Sequence, residues 1–246
     1  LVYVVASEQI YHFKVLFYIL KKLGFDWAND LYHLSYGLVN LPSGRMKSRE
    51  GTIVDADDLI DELHAASLKE IEAKGREEDV GDADDVAEKI ALAALHYYLL
   101  NVAPVKDMLF NPEESLSFTG NTGPYLQYMG ARIASILRKA EESGIAPDTS
   151  EKAVSLLSSE SEWDLIKKLG DFPSVVAKAA EALDPSMVAQ YLYDVSKAFG
   201  KFYQQCPILS AEKAELVKAR LFLAECTLTV LKNAMYLVLV PYLEKM

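Results

Sequence analysis

The chain has 246 residues, 51% hydrophobic and 25% charged, which suits a folded protein with one large core or two smaller ones. A formal net charge of −11 excludes a surface that attracts polyanions indiscriminately, so a nucleic-acid partner would have to be met by local basic and aromatic patches. Two cysteines, Cys206 and Cys226, cannot build a zinc cluster; they suit a reducing cytoplasm, where free cysteine acts as a small buried hydrophobe, and no protein-held metal is expected.

The chain opens Leu1-Val2-Tyr3-Val4-Val5, inside an apolar run far too short for a signal-peptide core or a membrane span. With no initiator methionine, the expectation is a piece of something longer. The apolar stretch at 235–241 is flanked by Lys232 and Glu244-Lys245, so no span is expected there either. Residues 1–6 read as a strand of a parallel sheet covered on both faces. Ser7 can cap a helix in which Phe13, Leu16, Phe17, Leu20 and Leu23 share one face, and Gly24 is a fitting stop. A second strand is expected over 31–39, giving a β-α-β opening with a right-handed crossover.

Next comes the loop Leu41-Pro42-Ser43-Gly44-Arg45-Met46-Lys47-Ser48-Arg49-Glu50-Gly51, bracketed by turn residues. A helix is expected from about Asp57 to Lys74 with Leu59, Ile60, Leu63 and Ile71 inward, then an exposed charged loop over 75–85. From there the pattern is helical. Val86, Ile90, Ala93, Ala94 and Tyr97 form one face of a helix ending near Asn101. Pro124 occupies a first-turn position ahead of Leu126, Met129, Ile133, Ile136 and Leu137. A short helix over 163–169 stops at Gly170, and Pro173 opens the next. Asp184-Pro185 begins one with Met187, Val188, Tyr191, Leu192, Val195, Phe199 and Phe202 down one side, closed by Cys206-Pro207. Ser210 is expected to cap a last long helix reaching about Leu239.

Three stretches in order carry a resemblance to a known family. They are Tyr3-Val4-Val5-Ala6-Ser7-Glu8-Gln9 with His12-Phe13, then Gly37-Leu38-Val39 with Met46-Lys47-Ser48-Arg49 and Gly51-Thr52, and finally Gly120-Asn121-Thr122-Gly123-Pro124-Tyr125-Leu126-Gln127-Tyr128 with Ala131-Arg132. Together they resemble the C-terminal part of arginyl-tRNA synthetase, a class I aminoacyl-tRNA synthetase, over essentially the whole chain. The fold this implies is an α/β remnant, the second half of a Rossmann-like class I catalytic fold, followed by an all-α helical bundle that binds the anticodon. The expected division is 1–115 and 116–246.

The resemblance implies a ligase that activates arginine with ATP, accompanied by Mg²⁺, and passes it to tRNA(Arg); a cytoplasmic monomer is expected. Cations on a mobile loop can close over the charge that builds on a phosphorus under attack and on departing pyrophosphate, and Arg45, Lys47 and Arg49 with hydroxyls at Ser43 and Ser48 suit that work. Read alone, the same loop could be an ordinary solvated one. The family places its Lys-Met-Ser-Lys-Ser signature here, and the matched positions read Arg45-Met46-Lys47-Ser48-Arg49, with Ser48 replacing the second lysine. The resemblance also implies that Gln9 helps hold the arginine substrate, that His12 lies near the adenosine, and that Gly37 sits beside the nucleotide, where a missing side chain allows close approach. Unpaired bases are met by stacking on aromatic faces. By resemblance Tyr128 and Tyr203 touch the anticodon loop and Arg132 lies one turn past Tyr128, whereas Tyr191, Phe199 and Phe202 are expected in the core.

Class I enzymes also need a His-x-Gly-His signature, and none of His12, His33, His64 and His96 begins one. The 246 residues by themselves are therefore expected not to activate arginine. The alternatives are a stand-alone anticodon-binding or regulatory module without catalysis, and a helical protein-interaction domain.

Overall fold

A computed structural model of the chain describes residues 1–42, 55–73 and 81–246. Strand β1 (Val2–Ala6) runs into a single 3-10 turn at Ser7–Gln9 and then helix α1 (Ile10–Lys22). Strand β2 (Tyr32–Tyr36) returns parallel to β1, in register from Val2 beside Tyr32 to Ala6 beside Tyr36. This is the expected β-α-β opening, with three corrections. β1 is not covered on both faces: Val2 is 47% and Val4 63% exposed, because α1 packs on one side of a two-stranded ladder and no described layer covers the other. Ser7 makes no capping bond, since the 3-10 turn separates it from α1. Leu23 lies past the last turn of α1 and is 68% exposed.

The strand expected over 31–39 is broken at Gly37. Its amide donates to Pro104 O at 2.7 Å, and a Cβ there would lie 2.1 Å from Lys106 O, so the 104–107 backbone crosses directly against it. The chain resumes as β3 (Val39–Asn40), which pairs in parallel with β4 (Met108–Leu109). Beyond Pro42 the signature loop lies outside the described residues.

Helix α2 (Ala56–Ala73) packs on α3 (Ala83–Leu100), whose first turn is capped by Asp82 accepting from the amides of Asp84 and Asp85. Most of the expected loop at 75–85 lies outside the described residues. A one-turn helix, α4 (Pro112–Ser115), leads into the bundle of α5 (Gly123–Glu142), the one-turn α6 (Glu151–Val154), α7 (Glu160–Gly170), α8 (Phe172–Ala182), α9 (Ser186–Gln205) and α10 (Ala214–Leu237). Apolar stripes at helical spacing meet in one core: Leu126, Ile133, Leu165, Leu192, Val195, Phe199, Phe202 and Leu221 are all 0% exposed.

Helix α3 serves three clusters. Ala93 and Tyr97 enter the bundle core, Ala91 and Leu95 pack with Leu63 and Phe110, and Val86, Ala87 and Ile90 meet Ile71 and Leu243. α10 begins at Ala214, not at Ser210, and has no side-chain cap. Ile208 is drawn into the core, and the residues between it and Lys213 are taken up in turns that reverse the chain. No helix among the described residues is long and apolar enough to cross a membrane.

Candidate functional site

The parallel register of β1 and β2 brings their carboxyl ends to one edge, where an α/β sheet offers a ligand crevice. Gln9 stands in the 3-10 turn just past β1, and Gly37 directly follows β2, so the structure places both on that edge. Both Gln9 and His12 are exposed; His12, at the start of α1, meets Phe13 edge-on at 5.6 Å. The absent Cβ of Gly37 has an explanation inside the chain, the crossing backbone of Lys106 and Asp107. Leu38 N beside it donates to Asp107 Oδ1 at 2.7 Å, which ties the strand end to the same segment. His33, which sequence reasoning passed over, fastens this edge: its Nε2 lies 2.9 Å from Val5 O and its ring stacks on Phe13 at 4.4 Å. Arg45, Met46, Lys47, Ser48 and Arg49 lie outside the described residues.

The second site is on the bundle. Residues 128, 132, 135 and 139 recur at helical spacing along α5, and Tyr203 approaches from the end of α9. The Arg132 guanidinium carbon lies 4.7 Å from the centre of the Tyr128 ring and 5.4 Å from that of Tyr203, and Arg132 Nη2 donates to the Tyr128 hydroxyl at 2.5 Å. The three residues singled out from sequence thus meet in one groove of about 500 Å³, lined also by Arg138, Lys139 and Lys245. Four cations gather here in a chain of net charge −11, set against Glu244, which pairs with Arg138 at 3.8 Å. Tyr203 is 41% exposed and stacks on fully buried Phe199, which fixes its ring at the edge of the groove. Tyr191, Phe199 and Phe202 are buried, as expected.

The Gly120–Tyr128 run has a structural job along most of its length. Gly120 takes φ 87°, a left-handed turn, and Thr122 caps α5 by accepting from Tyr125 N. The Tyr97 hydroxyl lies within hydrogen-bonding reach of both Asn121 Oδ1 and Ala189 O, the latter at 2.9 Å, and its single proton is shared between these two acceptors. Burial, with Tyr193 and Asp194 nearby, pushes the Tyr97 hydroxyl far above its usual range, so it remains a donor. Gly123 lets α5 touch α3, for a Cβ would fall 2.0 Å from Ala93 O. Gln127 is fully buried and bridges two backbone carbonyls. Tyr128 is the residue of this run that reaches the groove. Sequence reasoning missed Asn121, Gly123 and Gln127 as fasteners; a glutamine and a glycine on the inward face of an amphipathic helix were the available signal. Among the described residues, no group of three or more His, Cys, Asp or Glu is placed to hold a metal ion.

Comparison with known proteins assigns a separate family model to each of the two parts of the chain. The family model described as tRNA synthetases class I (R), catalytic domain, matches residues 1–112, and that of the DALR anticodon binding domain matches 126–246. The whole chain is 63% identical to an arginine–tRNA ligase of Treponema denticola and 55% to that of Treponema pallidum, in each case over 42% of the longer protein. The chain belongs to the arginyl-tRNA synthetase family. The arginyl-tRNA synthetase of Thermus thermophilus superposes over all of the chain with a TM-score of 0.85 at 31% identity, again over 41% of the larger molecule. The chain therefore corresponds to the C-terminal part of the family, a class I catalytic fragment followed by the helical anticodon-binding domain. It spans about two fifths of the length of the relatives it matches.

Proposed function

We propose that this chain supplies the signature-loop part of the catalytic domain and the anticodon reader of an arginine–tRNA ligase. The observation that carries the reading is the convergence of Tyr128, Arg132 and Tyr203 with Arg138, Lys139 and Lys245 in one groove. Two tyrosine faces accept unpaired bases by stacking, and an arginine between them can pair with phosphate or stack on a base. The four cations overcome, locally, the repulsion that a net charge of −11 sets against RNA.

In the reaction, the arginine carboxylate attacks the α-phosphorus of ATP, giving arginyl-adenylate and pyrophosphate; the terminal ribose hydroxyl of tRNA(Arg) then takes the arginyl group and releases AMP. Gln9 and His12 contribute to the arginine and adenosine sides of the crevice, and Gly37 lies beside the nucleotide. Arg45, Lys47 and Arg49, with Met46 and Ser48 between them, form the loop that stabilises the departing pyrophosphate. Mg²⁺ enters with ATP as the nucleotide's counterion. The division at 115/116 and a monomeric, cytoplasmic protein belong to the same reading. Without a His-x-Gly-His segment, the 246 residues alone bind tRNA but do not form the adenylate.

The test is binding of the isolated chain to arginine tRNA and to the same tRNA with an altered anticodon, at one fixed salt concentration, because phosphate contacts alone give sequence-blind binding. Loss of affinity on changing the anticodon is expected. Equal binding to both, or arginine-dependent ATP–pyrophosphate exchange by these residues alone, contradicts the respective half of the proposal.

A further inference from the structure

Residues 238–246 leave α10 and run back across the bundle as a strap. Leu239 takes φ 57°, and its carbonyl oxygen accepts from His96 Nδ1 of α3 at 2.7 Å. Two residues on, Pro241 O accepts from Gln127 Nε2 at 2.8 Å. Tyr242 lies against Gly130 of α5, where a Cβ would sit 3.0 Å from its ring, and Lys232 Nζ is 4.1 Å from the ring centre. Leu243 is buried with Ile71, Val86 and Ile90. Glu244, Lys245 and Met246 then line the groove beside Tyr128, Arg132 and Tyr203.

Gln127 is the polar anchor of this strap. Its side-chain amide donates one hydrogen to Pro241 O and the other to Lys89 O of α3, at 3.0 Å, while Oε1 is buried with no partner among the described residues. Two carbonyls from separate segments converge on one buried point, and only a group with two N–H donors satisfies both. An apolar residue there would remove the orphan acceptor and strand two carbonyls instead. The strap has little helical or sheet bonding of its own, so its path past α5 depends on these anchors.

Resting on the anticodon reading above, we propose that Gln127 is a positioning residue for RNA binding: it holds the strap so that Lys245 delivers a phosphate-binding charge to the groove. Gln127 itself touches no RNA. Lys245 lines the groove from the strap, alongside the residues that α5 and α9 supply.

The experiment measures binding of arginine tRNA by the whole protein across a salt series, for wild type, Lys245→Ala, Gln127→Leu and their double variant, with Tyr128→Ala as the groove control. Lys245→Ala is expected to weaken binding about two- to five-fold and to lower the slope of log K against log salt by about 0.7–0.9. Gln127→Leu is expected to reproduce both changes, and the double variant to be no worse than Gln127→Leu alone. A Gln127→Leu that weakens binding at unchanged slope and adds to Lys245→Ala overturns the proposal, because it would then act through the bundle core. Should Gln127→Leu fail to fold, His96→Ala releases the strap at the Leu239 carbonyl and must lower the slope; an unchanged slope overturns the proposal equally. Binding that is lost in Tyr128→Ala but indifferent to Lys245→Ala sinks the strap and leaves the anticodon reading standing. If the wild-type protein does not bind the tRNA, both fall.

Discussion

Residues 1–36 and the helical bundle are both rich in large apolar side chains, but only the bundle encloses them. In the first, Val4, Ile10, Tyr11, Tyr18 and Leu23 are 50% to 78% exposed, and Phe13 is the one large side chain to be buried. In the second, stripes on α5, α7, α9 and α10 close on each other around Phe199 and Phe202. The difference is geometric. Two strands and a helix make two layers, which leaves the far face of the ladder bare, whereas helices arranged around a centre cover one another on every inward face. Each large side chain fully buried contributes roughly 1.5–3 kcal/mol, and ordering the backbone costs about 1–2 kcal/mol per residue. The bundle meets that cost from its own core. Residues 1–36 do not, so their order rests on the β1–β2 ladder and the Tyr3, Phe13, Phe17 and His33 cluster beneath it.

The largest effect expected from this contrast is in local stability. In native-state hydrogen exchange on the 246-residue chain, the amides of Val2–Ala6 should be protected about a thousandfold less than those of α9, because they open without the bundle. The two tryptophans report separately, Trp27 beside Phe25 in the first region and Trp163 on α7 in the second. Single Trp→Phe variants should therefore give two unfolding transitions by fluorescence. Equal protection and coincident transitions would break the comparison and make the chain one cooperative unit.

Two glycines sharpen it. A Cβ on Gly123 would fall 2.0 Å from Ala93 O, and one on Gly37 would fall 2.1 Å from Lys106 O, so both Gly→Ala changes press on backbone. Gly123→Ala should destabilise the bundle by about 4 kcal/mol, since α5 must move off α3. Gly37→Ala should leave the Trp163 transition within about 0.5 kcal/mol of wild type, because the clash lies at the strand end and outside the bundle core. A thermal melt of each variant, followed at the two tryptophans, decides the matter.

A smaller effect follows from the one deeply buried ion pair among the described residues. Glu162 is 1% exposed; its carboxylate accepts from the amides of Ser158 and Ser159 at 2.8 Å and from Arg220 Nε at 2.7 Å. Burial pushes its pKa up, but the Ser159 amide and Arg220 together outweigh that and hold it below its ordinary value of 4.5. A lowered folded-state pKa means that the stabilisation is complete above the unfolded value and is lost as pH falls through the folded one. Glu162→Gln should cost about 3 kcal/mol at neutral pH, by leaving Arg220 without its partner. The cost should shrink as pH falls below 4.5, and the acid limb of the Trp163 stability curve should flatten. Wild-type and variant curves that stay parallel through acid would remove Glu162 from the account.

Much of this was legible in the sequence, and the reasons differ by element. Helical spacing fixes α3, α5 and α9 because their apolar stripes face one core, and Pro124 and Asp184-Pro185 mark starts by backbone chemistry. Tyr128, Arg132 and Tyr203 came from resemblance, and the structure brings them into one groove. What stayed hidden depends on contacts distant in sequence. Nothing local to Gly37 says that the 104–107 backbone will cross it, and β4 is too short to carry a period. The strap is invisible for the same reason: Gln127 and Pro241 lie 114 residues apart and meet through a side-chain amide and a carbonyl, neither of which leaves a pattern.

The smallest expected effect tests what the bare face of β1 is for. Val4 is 63% exposed, so in the 246-residue chain Val4→Thr should change stability by less than about 0.5 kcal/mol. The relatives are more than twice as long, and β1 falls in the part matched by the catalytic-domain model. If the remaining length of the catalytic domain packs on this face, the same substitution in the full-length protein buries a hydroxyl against apolar neighbours and costs about 1–3 kcal/mol. Measuring both contexts by denaturant melts separates a face that is solvated in function from one that is covered. A substitution silent in both contexts would mean that β1 is exposed in the full-length protein, and that the contrast between the two regions is intrinsic rather than a consequence of what packs beside them.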